Sequence, residues 1–159
     1  MDDGTRDDFD WGDDVGERED DVLRFEVAGV ACAVAAEFVT EVAQLPEVTA
    51  IPSLPAHILG VAVRRRKVLG LLDLAAFLGL TRTRKQSASR LLVLDVDQLE
   101  VGVVVDATAG LEEWPDDADA HVEDLGHVVR KYALGAHWAP GGRVVLLDFR
   151  AILQDAAIV

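Results

Sequence analysis

The chain has 159 residues, half of them apolar, and carries 29 acidic against 15 basic side chains for a formal net charge of −14. That length holds one domain, or two small subdomains sharing a core. With Cys32 as the sole cysteine no intramolecular disulfide is possible, the acidic start is not a secretory signal, and no apolar run nears the about 18 residues of a membrane-crossing helix, so the simplest location is the cytoplasm.

Charge is spread unevenly. Residues 1–21 hold 11 acids and 2 bases. So little apolar surface and so much like charge predict a disordered, solubilising tail, with a partner-binding role for Phe9 and Trp11 as the alternative. Residues 64–90 hold 8 basic side chains and one acid, Asp73, whereas residues 91–129 hold 11 acids and no Lys or Arg.

Past the tail, LRFEV (23–27) alternates like a strand, Ala28-Gly29 reads as a turn, and Val30–Ala35 completes a hairpin. Residues 35–45 are ambiguous: Phe38, Val42 and Leu45 fit a helical face, Val39 and Glu41 a strand edge. Pro46, Pro52 and Pro55 mark an extended connection. Ile58–Val63 and Val68–Leu72 read as strands around the basic turn RRRK, and Asp73 caps a short helix that ends at Gly79. Residues 81–89 form a linker. Leu91–Asp95 and Val101–Asp106 predict another hairpin, and 114–125 a long acidic loop. Tyr132–Trp138, the turn PGG and Val144–Leu147 follow, and Asp148 caps a last helix.

Part of this frame occurs twice. HILGVAVRRRKVLGLLDLAAFL (57–78) lies on YALGAHWAPGGRVVLLDFRAIL (132–153) without a gap, Gly60 on Gly135 and Asp73 on Asp148. Upstream, Cys32–Glu37 lies more weakly on Val101–Asp106. The pattern predicts a mainly β protein of two small five-stranded β-barrel subdomains packed together, with short helices including a C-terminal one. The pseudo-repeat halves run over about 22–80 and 90–155.

These residues resemble the CheW-like domain of bacterial and archaeal chemotaxis. The resemblance runs over about 22–155 and rests on Val39-Thr40-Glu41-Val42, Ile51-Pro52 and Leu54-Pro55, Gly60-Val61, Asp73-Leu74, Val101–Asp106 and the closing strand and helix at Val144–Leu153. It implies that the paired barrels are SH3-like. The chain departs from the family frame at the basic turn. Val63 stands at the family's Asn, Arg65 matches its Arg, Arg66 replaces the following Gly, and Gly70 replaces a Pro. An arginine in a glycine's turn carries a steric penalty, so a rebuilt turn is expected.

No catalytic constellation accompanies this frame. Cys32 sits in an apolar strand; His57, His121, His127 and His137 lack ligand spacing; and Asp116, Asp117 and Asp119 lack the glycine turn and terminal glutamate of a calcium loop. No phosphate-binding glycine motif occurs. Neither a metal nor another cofactor is expected. RRRK and TRTRK invite nucleic acid, but the acidic tail and second half repel phosphate. Asp73 and Asp148 are explained as helix caps, and Gly60 and Gly135 as structural partners in the repeat.

The expected class is therefore a binding module, not an enzyme. The resemblance implies an adaptor that links the cytoplasmic tip of methyl-accepting chemoreceptors to the regulatory domain of a histidine kinase. It would be recruited to receptor arrays without inserting into the membrane. It nominates Val39, Glu41 and Arg65 for partner contact, with Arg64 and Arg66 beside them. The alternative is a diverged module scaffolding a different signalling complex.

Overall fold

The computed structural model describes residues 21–82, 89–116, 118 and 122–157. The tail residues 1–20 with Phe9 and Trp11, linker residues 83–88, and Asp117, Asp119 and His121 lie outside the described residues.

Ten strands and three short helices make up the described chain. In order they are β1 (Asp21–Val27), β2 (Val30–Ala35), β3 (Val39–Gln44), β4 (Ile58–Arg64), β5 (Lys67–Asp73), α1 (Leu74–Leu78), β6 (Arg90–Val96), β7 (Leu99–Val105), β8 (Ala107–Glu113), α2 (His127–Lys131), β9 (Ala133–Ala139), β10 (Gly142–Leu147) and α3 (Phe149–Ala156). Two five-stranded sheets result, ordered β8-β1-β2-β10-β9 and β3-β6-β7-β5-β4. The mainly β, two-unit architecture expected from the sequence is present.

The units do not divide at the linker, however. Each sheet takes one hairpin from one half of the chain and three strands from the other. A short 3-10 turn at Ala36–Phe38 carries the chain away from β2, and β3 then pairs with β6 rather than with its own hairpin. At the matching point β8 pairs with β1. The sequence halves 22–80 and 90–155 are thus interleaved. Asp21, assigned to the tail from its charge, is the buried first residue of β1 opposite Glu113.

The repeat survives this exchange, and the strand register shows its physical basis. β5 runs parallel to β7 with Leu71 beside Gly102, and β10 runs parallel to β2 with Leu146 beside Ala33. These are the residues that the sequence alignment superposes. The Asp73 N–H donates to the His57 carbonyl at 2.8 Å, and the Asp148 N–H to the Tyr132 carbonyl at 2.9 Å. Asp73 accepts from the Ala76 N–H and Asp148 from the Ala151 N–H, so both aspartates are N-caps as expected.

The hairpins β1–β2 and β6–β7 are buried on both faces. Leu92, Leu94, Val101, Val103 and Val105 join Leu23, Phe25, Cys32 and Val34 in the main core between the sheets. The alternate residues Leu91, Val93 and Val104 face the interior of the β6 sheet, with Ala62, Leu69 and Leu71. Two-sided burial is why these strands read as continuous apolar runs. α3 closes the main core with Phe149, Ile152, Leu153 and Ala156 on one stripe, each large side chain contributing about 1.5–3 kcal/mol.

Two elements escaped the sequence reading. β8 (ATAGLEE) alternates between exposed and half-buried positions and so lacks a strong apolar signal. α2 is a single turn and a half, capped by no side chain.

Candidate functional site

The basic turn lies at the outer edge of the β6 sheet. Val63 opposes Val68 and Arg64 opposes Lys67, leaving Arg65 and Arg66 as the two turn residues. Their φ angles are +52° and +66°, the left-handed geometry of a two-residue hairpin turn. The turn thus keeps the positive φ that a glycine would supply instead of being rebuilt, at a cost of about 1–2 kcal/mol per residue.

Alternation decides which side chains face outward. Ala62 and Leu69 enter the sheet interior. Val63 and Val68 point out, 69% and 67% exposed, as an apolar pair bordered by the basic turn. The turn is held in place by carboxylates from two other strands of the sheet. Glu41 on β3 binds both Arg64 and Arg65, the latter at 3.1 Å, and Glu100 on β7 meets Lys67 at 3.2 Å. β3 and β4 are opposite edges of the sheet, so the Glu41 contacts close it on itself, helped by the Thr49–Val61 bridge. Among the described residues Arg66 makes no ion pair or hydrogen bond.

The five nominated contact residues therefore separate. Glu41, Arg64, Arg65 and Arg66 come together at the hairpin tip. Val39 does not join them: it is 6% exposed and packs in the main core. The cause is a bulge between Val39 and Glu41, where Val39 opposes Leu94 and Glu41 opposes the adjacent Val93. The extra residue, Thr40, donates its hydroxyl to the Val93 carbonyl at 3.1 Å and reverses the facing of the strand beyond it.

The repeat makes the tip of β9–β10 a second exposed patch. Trp138 takes the place of Val63 and is 69% exposed, and Leu134 on the same strand is 64% exposed. Arg143 lies over the Trp138 ring, 5.6 Å from its centroid, and also binds Asp124 at 2.8 Å. Apolar patterning alone places Trp138 in a strand; its alignment with Val63 is the signal that marks it as outward-facing.

Between the sheets sits a half-buried charge cluster. Arg82 donates Nε and Nη2 to one oxygen of Asp106 at 3.0 and 2.9 Å, while the other accepts from the Ala28 N–H in the β1–β2 turn at 3.0 Å. Arg82 also lies 3.7 Å from Asp73. Burial works against the guanidinium charge, but the bonds and charges of Asp106 and then Asp73 outweigh it and hold its pKa above the ordinary value. The cluster ties the linker's start to both sheets. Burial, and secondarily Glu26, pushes the Cys32 thiol up to about 12, which keeps it protonated and unreactive. Among the described residues no group of three His, Cys, Asp or Glu is placed to hold a metal, and no helix is long and apolar enough to cross a membrane.

Two five-stranded sheets thus share one core and present two outward hairpin tips. The family described as CheW-like domain matches residues 21–157, and the chain belongs to it, a family of chemotaxis scaffold and adaptor proteins. Protein FrzA of Myxococcus xanthus is 33% identical over 141 residues, covering 87% of this chain and 88% of that protein. A probable chemotaxis protein CheW of Rhizobium etli is 26% identical over 141 residues, covering 88% and 90%. The crystal structure of the scaffolding protein TtCheW from Thermoanaerobacter tengcongensis superposes with a TM-score of 0.70 at 19% identity, covering 81% of this chain and 88% of that one, a likeness of fold.

Proposed function

We propose that this protein is a non-enzymatic adaptor at the cytoplasmic side of chemoreceptor arrays, linking the receptors' cytoplasmic tip to the regulatory domain of a histidine kinase. The observation that supports this reading is the β4–β5 tip: an outward Val63–Val68 pair beside arginines held on Glu41, with Arg66 unpaired among the described residues. An apolar centre gives contact area, and fixed guanidinium groups give orientation on a partner's carboxylates.

Titration calorimetry with the kinase regulatory domain tests it. The double variant Arg65→Glu, Arg66→Glu is expected to bind at least about tenfold more weakly than the unaltered chain, with an affinity that falls as salt rises. Unchanged binding by the double variant removes the tip from the contact. A second reading, a scaffold for a different signalling complex, is favoured by Arg66 and Val63, which depart from the family frame at the contact itself. Failure of the unaltered chain to bind the kinase domain at low salt selects it.

A further inference from the structure

The β4–β5 tip has an excess of positive charge that the described residues do not neutralise. Of its four cations, Arg64 to Lys67, three meet two carboxylates, Glu41 and Glu100. Beside them Val63 and Val68 lie open. The chain itself carries a segment of complementary chemistry. Residues 7–14 read DDFDWGDD, five aspartates with Phe9 and Trp11 between them. In an extended chain, residues two apart project to the same side, roughly 7 Å from each other. Phe9 and Trp11 would then share one face, close to the spacing of two opposed valines, while the aspartates flank them.

Reach permits the contact. Trp11 precedes Asp21, the start of β1, by ten residues, a tether of at most about 33–36 Å. A domain of this size has a radius of gyration of about 14 Å, so most of its surface lies within that span.

We propose that the segment Asp7–Asp14 docks on the β4–β5 tip, with Phe9 and Trp11 over Val63 and Val68 and the aspartates against Arg65 and Arg66, so that the tail competes with a partner for this surface. The competition rests on the adaptor reading above; the docking does not. A short tether gives an effective concentration on the order of millimolar, so a millimolar intrinsic affinity keeps about half of the molecules closed. Partner affinity is then lowered about twofold.

The test uses the full chain with Thr5→Cys carrying a nitroxide; Cys32, fully buried with its thiol pushed up to about 12, is left unlabelled. Amide signals of Val63 to Val68 are expected to lose most of their intensity at low salt, relative to the reduced label, and to recover at 1 M salt, where the screening length is about 3 Å. No loss at these amides, a loss centred on Leu134 and Trp138, or a loss that persists at 1 M salt overturns the docking. In parallel, the full-length variant Phe9→Ala, Trp11→Ala is expected to bind the kinase about twofold more tightly than the unaltered chain. If the tip signals broaden as expected but Arg65→Glu, Arg66→Glu binds the kinase normally, docking stands and it is the adaptor reading of this surface that fails.

Discussion

Hairpins β4–β5 and β9–β10 occupy equivalent edges of their sheets, each held by a parallel strand from a central hairpin. Their frames match residue for residue, yet the turns are built from opposite materials. The first uses two arginines at positive φ; the second uses Pro140 followed by Gly141 at φ +98°. The first displays two valines beside cations, the second a tryptophan under one arginine. Fold and displayed surface are therefore separable here: the frame needs a turn, and what the turn displays is free to differ.

The glycines test that frame most severely. Gly60 and Gly135 align, but a Cβ on Gly60, at φ +140°, would stand 2.1 Å from the Thr49 carbonyl oxygen, whereas one on Gly135 would meet only the Trp114 ring at 3.8 Å. Gly60→Ala is expected to lose roughly 3 kcal/mol or more, and Gly135→Ala within about 0.5 kcal/mol of nothing, in urea unfolding. Equal losses would show that the Thr49–Val61 closure yields at little cost.

A second asymmetry concerns pH. His57 and Tyr132 align; His57 Nε2 lies 3.1 Å from the Ala156 carbonyl, while the Tyr132 hydroxyl donates to Asp155 at 2.6 Å. Burial first, and then the Asp155 bond and charge, push Tyr132 up from 10.0 to about 12. The protonated form is thus favoured in the folded state, so this stabilisation is complete below pH 10 and is lost as pH rises through about 12. Cys32 titrates in an overlapping range, so Tyr132→Phe is the control. Between pH 10 and 12 the unaltered protein is expected to lose on the order of 2 kcal/mol more than Tyr132→Phe. Parallel losses would place the alkaline transition elsewhere.

The sequence made the frame legible because the aspartate caps and the central apolar strands are dictated locally. Asp73 and Asp148 stand where a strand ends and a helix begins, and each does what that position requires. Strand exchange was not legible, since the match of Cys32–Glu37 with Val101–Asp106 identifies similar strands without saying which partner each takes. Neither was the separation of Val39 from the hairpin tip: alternation puts residues two apart on one face, and a one-residue bulge cancels that rule without a compositional signal. The arginine cluster at the tip was legible because nothing in a turn demands basic side chains.

The caps provide a finer comparison. Asp148→Ala is expected to cost about 1 kcal/mol. Asp73→Ala is expected to cost a few tenths more, because Asp73 also faces Arg82. Denaturant midpoints of the two variants measure the difference, and equal losses would mean that Arg82 depends on Asp106 alone.

The smallest effect separates turn from display most directly. Arg66 holds φ +66° with a Cβ present and without an ion pair among the described residues. Arg66→Gly relieves left-handed strain of about 1 kcal/mol, offset in part by the greater freedom of glycine in the unfolded chain, for a net gain of roughly 0.5 kcal/mol. The same variant removes the tip cation that, among the described residues, is not committed to Glu41 or Glu100, so kinase binding should weaken while stability rises. Opposite signs in the two measurements would establish that this turn departs from its aligned counterpart for the sake of contact. A fall in stability would instead show that Arg66 makes a favourable contact in the folded state, and the contrast with Pro140-Gly141 would be one of fold rather than of display.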